Sequence, residues 1–314
     1  MSKFNKRAYG AAVIKSINSN YNADFTHQPR TLPDGRIYAT DKALKYLVRN
    51  YLKHETSDNI FYYKSLKEDT LNPRSLDETY VKYFGEIPKG EGKGATEKEA
   101  SKKREMLGNL LTNLDVRLFG GTYAGSTNLS MHGPAQITHG INQFVRGEIY
   151  SEQIMSPFRN SNEDKADSAM TTLGSQSKLR EGHYVHGISV NPKNLETLTE
   201  LSGTENHLTV DDIEKLKLGL RRGASYYDSS AKAGTDNELL LWVTLKENSR
   251  LVLPSFTELI KVQDNEKRDI DLGGIKTLLA QAHVKIEIES IEVYYNKTIT
   301  SVINLPDGAH ELNL

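Results

Sequence analysis

Residues 7–17 read Arg-Ala-Tyr-Gly-Ala-Ala-Val-Ile-Lys-Ser-Ile, a short apolar run with β-branched residues near its end, which predicts a buried strand. Residues 18–40 follow as a polar loop rich in Asn, Pro, Asp and Gly. Thr40-Asp41 then has the chemistry of a helix N-cap, and Leu44, Leu47, Val48 and Tyr51 recur at helical spacing. Lys42, Lys45, Arg49 and Lys53 fall on the other side at spacings of three and four. This predicts an amphipathic helix carrying a basic stripe.

Working outward, residues 54–113 are charged and mixed, with a flexible glycine loop at 90–94 and a helical stretch at 96–113. Strands are expected at 115–119, 133–141, 183–190, 238–245 and 284–295, the last alternating cleanly between apolar and polar. A helix capped by Thr209 is expected over 209–221. Residues 155–182 and 222–237 hold few apolar side chains and many polar ones, and read as loops. The class is therefore α+β: an antiparallel sheet covered by helices on one face, with long insertions forming lobes on it.

The chain has 314 residues, which suggests two domains or one with large insertions. Its 37% hydrophobic content, with 23 Gly, is enough for a core. No run approaches the roughly 18 apolar residues of a membrane helix. The first ten residues lack an apolar signal-peptide core, so a cytoplasmic protein is expected. Zero Cys excludes disulfides, thiol catalysis and Cys-ligated metals. The net charge is −1, yet residues 1–53 carry ten basic side chains against three acidic ones, a local +7. Such a chain can bind a polyanion locally, or pack basic face to acidic face against copies of itself.

Catalytic motifs are mostly missing. Gly92-Lys93 lacks the following Ser/Thr and the glycine spacing of a phosphate loop. No nucleophile elbow and no His-Glu-x-x-His pattern occurs. His183 and His186 are three apart on an expected strand, hence on opposite faces, which disfavours a metal pair. Asp24, Asp34 and Asp41 share one loop and are either turn and cap residues or ligands for a divalent cation.

Four segments carry a resemblance. The first is Ala12-Val13-Ile14-Lys15-Ser16-Ile17-Asn18-Ser19-Asn20, leading to Gln28-Pro29-Arg30, Asp34-Gly35-Arg36 and the helix from Thr40 to Asn50. The others are Asp115 to Gly121, then Gly133-Pro134-Ala135-Gln136, then Thr172-Leu173-Gly174 with Lys178 and Tyr184-Val185-His186-Gly187. In this order they resemble the CRISPR-associated backbone subunit of type I Cascade complexes, a RAMP-superfamily family, and look closest to its I-B/I-C branch. Tyr21 and Ala23 depart from the usual loop proline and glycine, and Gly140-Ile141-Asn142 departs from the usual Gly-Arg-Ser.

The resemblance implies a non-catalytic subunit shaped like a hand, with no cofactor. Its palm is an RRM-like (ferredoxin-like) antiparallel sheet, drawn from residues 1–55, 114–145, 180–200 and 238–314. An inserted helical web occupies 56–113 and 146–179, and a thumb hairpin 203–237. Implied partners are a crRNA, the target DNA strand paired to it, copies of the chain in a helical filament, and other Cascade subunits. The residues matching the family's RNA track are Asn18, Asn20, Arg30, Lys42, Lys45, Arg49 and Gln136, with Lys178 and Arg180 before the 183–190 strand. In the expected thumb, Arg221, Arg222 and Lys232 are basic, and Tyr226 and Tyr227 either wedge between bases or pack. The alternative is a metal-dependent endoribonuclease of a type III-like complex, using Asp24 or Asp34.

Overall fold

The computed structural model describes residues 2–144, 146–155 and 172–314. The expected first strand is β1 (Ala8–Ser19). It is followed by β2 (Tyr38–Ala39) and helices α1 (Asp41–Glu55), α2 (Leu76–Phe84), α3 (Ala95–Leu110) and α4 (Leu114–Phe119). Short strands come next: β3 (Gly120–Ala124), β4 (Asn128–His132), β5 (Ala135–Ile137), β6 (Gly140–Asn142) and β7 (Ile149–Met155). The long β8 (Thr172–Val190) leads to α5 (Lys193–Ser202), α6 (Val210–Tyr226) and β9 (Thr235–Leu245). The C-terminal part contains β10 (Lys261–Val262), β11 (Ile270–Asp271), α7 (Gly273–Leu279), α8 (Ala282–Lys285), β12 (Ile288–Tyr295), β13 (Val302–Ile303) and β14 (His310–Leu312).

The main sheet runs β14-β12-β9-β1-β8-β6-β2, with β5 and β7 also paired to β8. Its pairings are antiparallel except β12 with β14. β1 lies at the centre, with Val13 opposite Val185 on one side and Leu239 on the other. Successive side chains of a strand point to opposite faces. Ala8, Ala12 and Ile14 face a core built with Leu44, Leu47 and Val48 of α1 and Leu216 and Leu220 of α6. Tyr9, Ala11 and Val13 face a second core with Phe256, Ile260, Leu272 and Ile275.

Both faces are thus covered, one by helices as expected and the other by the C-terminal segment. The signal is the unbroken run Leu239-Leu240-Leu241-Trp242-Val243 in β9, all buried. A strand with no polar alternation is one buried on both sides.

Both expected caps are present. The Thr40 hydroxyl accepts from Ala43 N at 3.2 Å, and Thr209 forms a reciprocal box with Asp212. Such caps are worth about 1 kcal/mol each.

Several expected elements differ. Residues 115–119 form helix α4, not a strand, and end where Gly120 adopts φ 66°. A five-residue apolar run does not distinguish the two states by periodicity. Lys285 and its three predecessors are helical, so the last long strand starts at Ile288. The 133–141 strand is two pieces, β5 and β6. Of the expected 155–182 loop, Met155 and residues 172–182 are strand, and 156–171 lie outside the described residues. β1 pairs with β8 only as far as Leu179, so residues 172–178 of β8 pair with β7 alone and form an arm beyond the sheet. That arm buries no core, so its sequence carries no apolar alternation.

The thumb expected at 203–237 is not a hairpin. Helix α6 occupies 210–226 and packs on α1 and the sheet.

Candidate nucleic-acid interface

The loop leaving β1 is held at both ends. Asn22 Oδ1 accepts from the Thr40 N–H at 2.9 Å and hydroxyl at 3.0 Å, tying the loop to the start of α1. Asn20 is 3% exposed, and its amide donates to the carbonyls of His27 (3.2 Å) and Ser177 (3.1 Å). Asn20 therefore joins loop to arm through its amide nitrogen, a structural tie where an RNA contact was expected. Asn18 is exposed, with φ 48°, and accepts from the Tyr150 hydroxyl of β7 at 3.2 Å.

Arg30 lies 6.0 Å from the ring of Phe25, which is 97% exposed. An aromatic standing free in a polar loop has a face on which a base can stack. The sequence reading passed over it, although a lone Phe among Asn, Asp and Thr was the available signal.

Lys232 sits beneath this loop. Its Nζ donates to the Tyr21 carbonyl and lies 5.8 Å from the Tyr21 ring centroid. Among the described residues no carboxylate pairs with it. Burial pulls its pKa down to about 8.

The two loop carboxylates are committed to local turns. Asp24 accepts from the Thr26 hydroxyl and N–H, each at 2.7 Å, and from Gln28 N at 3.0 Å. Asp34 accepts from Arg36 N at 3.1 Å and Arg36 Nε at 2.8 Å. The Thr26 hydroxyl holds the Asp24 carboxyl below the usual range, and the Arg36 N–H does the same for Asp34. Among the described residues no group of three or more His, Asp or Glu is arranged to hold a metal ion.

The basic stripe of α1 divides into three roles. Lys42 is exposed. Lys45 pairs with Asp41 at 3.1 Å within the helix. Arg49 Nε meets Asp115 Oδ2 at 3.0 Å, where the carboxylate is fully buried and also accepts from the N–H groups of Phe61 (2.7 Å) and Tyr62 (2.9 Å). Arg49 is therefore a tie between α1 and α4, its Nε engaged by Asp115.

On the arm, Lys178 pairs across to Glu152 at 3.0 Å, and Arg180, 71% exposed, pairs with Glu148 at 3.5 Å. The Arg180–Glu148 pair is exposed on both sides, a kind worth at most about 1 kcal/mol, so it yields readily to a phosphate, whereas Lys178 is half-buried. The arm touches the Lys232 turn, where Gln176 Nε2 donates to Ser230 O at 3.1 Å. Asn18, Arg30, Lys42, Lys178, Arg180 and Lys232 therefore gather around one end of β1.

The remaining candidates lie elsewhere. Gln136 pairs in register with Ser189, and its amide donates to Gly133 O at 2.8 Å. Ser189 and Leu179 are ten residues apart on β8, about 33 Å at the rise of a strand. Gln136 is thus at the opposite end of the sheet.

Arg221 lies 4.4 Å from the ring of Tyr294, and Arg222 donates to the Tyr51 hydroxyl at 3.3 Å. Tyr226 packs edge-on against Tyr51 at 5.2 Å, and Tyr227 against Tyr46 at 5.4 Å. Because α6 continues through Tyr226, both tyrosines pack against α1 in the RNA-free chain, with Tyr226 still 38% exposed. Arg221 and Arg222 line an open cleft of about 550 Å³ beside Tyr226.

His183 and His186 point to opposite faces as expected. His183 Nδ1 meets Glu238 at 2.6 Å; His186 meets the Tyr21 hydroxyl at 3.1 Å and the Thr138 carbonyl at 3.0 Å, and burial lowers its pKa to about 4.

The family model described as CRISPR-associated protein Cas7 matches residues 6–277. No curated protein matches the chain. Among solved structures, a chain of a "CRISPR RNA-guided surveillance complex, pre-nicking" aligns with a TM-score of 0.53 at 13% identity, covering 98% of this chain and 96% of that one. A chain of a "CRISPR RNA-guided surveillance complex" aligns with a TM-score of 0.50 at 15% identity, covering 95% of each. At such identities the likeness is one of fold.

Proposed function

The chain belongs to the CRISPR-associated Cas7 family, and from that premise we propose that it is a non-catalytic RNA-binding backbone subunit of a type I Cascade complex. Copies line up along one crRNA and present it in segments for pairing with target DNA. The observation that carries this reading is the family match over residues 6–277.

The fold supports it. The order β9-β1-β8-β6 with α1 and α6 on one face supports reading this part as a split βαβ, ferredoxin-like palm. Helices α2 and α3, inserted after α1, fit the web. The β7–β8 arm fits the thumb better than 203–237, because it leaves the sheet. In a common RRM the sheet face stacks bases. Here that face is covered by the C-terminal layer, so RNA is gripped at the end of β1 by Arg30, Lys42, Lys178, Arg180 and Lys232, with Asn18 as a polar contact and Phe25 as a stacking surface. These are mostly phosphate-type contacts, which position a chain without reading its sequence.

The test is to express the protein with a matching CRISPR array, purify it, and run the extracted nucleic acid on a denaturing gel with RNase and DNase controls. One RNA of uniform length, left intact by Mg²⁺, is expected. No RNA, or a smear, contradicts the reading. Mg²⁺-dependent cleavage lost on Asp24→Ala would replace it with the ribonuclease alternative.

A further inference from the structure

At the Gln136 end of the sheet, opposite the cations gathered at the other end of β1, a cleft of about 280 Å³ opens between β1, β5, β8 and residues 252–255, with Gln136 in its lining. Arg7 and Tyr9 enter it from the same face of the chain, two residues apart. Tyr9 is 5% exposed, and among the described residues its hydroxyl has no hydrogen-bond partner; neither has Arg7 Nε, which is also buried. The Arg7 guanidinium lies 5.3 Å from the Tyr9 ring, and among the described residues Arg7 forms no ion pair. Among the described residues no acidic side chain lines the cleft.

The floor is built closely. Thr138 Oγ1 accepts from Gly187 N at 2.8 Å, and Ser255 Oγ lies 3.0 Å from Thr257 Oγ1. A Cβ on Gly187 would come within 2.4 Å of Ser255 Oγ, so this floor exists only because position 187 is glycine. The walls include Ile137, Ile188 and Val252, the last 68% exposed at the mouth.

A buried hydroxyl and guanidinium nitrogen without partners cost free energy unless something accepts from them. The ligand must therefore be an acceptor, and the uncompensated arginine asks for an anion. A nucleic-acid track needs several cations, since affinity grows with each phosphate neutralised. This cleft has one, set among apolar walls. We infer that the Arg7–Tyr9 cleft binds a carboxylate carried on a short apolar stem. Arg7 engages the carboxylate with its planar fork, the Tyr9 hydroxyl donates to it, and Ile137 and Val252 cover the stem. Two sources share this chemistry: a free short-chain acid, or an acidic side chain of another polypeptide seated at the mouth.

The test is thermal unfolding of the full chain titrated with butyrate, with inorganic phosphate in parallel at matched ionic strength. Butyrate is expected to raise the midpoint in wild type and phosphate to leave it unchanged. Tyr9→Phe, which removes only the unpartnered hydroxyl, is expected to keep or raise the ligand-free midpoint while weakening the butyrate response at least fivefold. Arg7→Gln should abolish it. No butyrate response in wild type, an equal response to phosphate, or an undiminished response in Tyr9→Phe overturns the inference. Sedimentation of RNA-free protein with and without butyrate separates the sources. Oligomers dispersed by butyrate, and absent in Arg7→Gln, assign the carboxylate to another polypeptide; unchanged sedimentation with a retained thermal response assigns it to a free acid.

Discussion

Arg49 and Arg180 each face a carboxylate, at 3.0 and 3.5 Å, and they do opposite things. The partner of Arg49 is fully buried and accepts two further N–H groups from the Phe61–Tyr62 backbone. The partner of Arg180 is 75% exposed and has water to return to. Burial, not charge or spacing, decides which cation holds the protein together and which can be released to a polyanion. The tyrosines of α6 fall between these cases: they pack edge-on against α1, yet Tyr226 stays 38% exposed.

Four experiments bear on that contrast, from the largest expected effect to the smallest. Arg49→Ala leaves Asp115 buried and unpaired, and should cost about 3–5 kcal/mol in chemical denaturation. A loss under 1 kcal/mol would mean that the pair is as dispensable as a surface one. Tyr226→Ala with Tyr227→Ala should cost about 1–3 kcal/mol through lost aromatic packing, while RNA footprint spacing stays as in wild type. A changed spacing would return them to the role of wedges.

Lys178→Ala with Arg180→Ala should leave stability within about 0.5 kcal/mol. It should weaken RNA binding and flatten the slope of log affinity against log salt by about 1.4, the value for two phosphate contacts on a single strand. An unchanged slope removes the arm from the interface.

The smallest effect concerns Lys232. Its folded pKa of about 8 lies below the ordinary lysine value, so in the RNA-free protein the unfolded chain binds more protons above pH 8. Stability is therefore reduced at neutral pH and recovers as pH rises past 8. RNA binding runs the other way, since the cation is lost over that range. Affinity should fall between pH 7 and 9 in wild type but not in Lys232→Arg, which stays charged. Parallel pH profiles for the two would detach Lys232 from the RNA.

Much of the main sheet and its helical layer was legible in the sequence. β1, α1 with its Thr40 cap, α6 with its Thr209 cap, and β9 are local patterns backed by buried contacts. Asp115-Val116-Arg117-Leu118-Phe119 misled because a short apolar run fits either state, and its helix depends on a distant tie to Arg49. The arm was invisible because it packs on no core. For the site, spacing revealed that Lys42, Lys45 and Arg49 share a helix face. It carried nothing about Asp41 and Asp115, whose approach is set by folding. Gln136 and Arg30 look alike as motif residues, and only strand register puts one at each end of the sheet.

The central claim is that RNA lies at the loop and arm end of β1. Ultraviolet crosslinking of the RNA-bound protein, with mapping of the modified peptides, tests it most directly. Crosslinks are expected within 18–36 and 149–180, Phe25 foremost. Crosslinks confined to 221–227 or to the neighbourhood of Gln136 would contradict it.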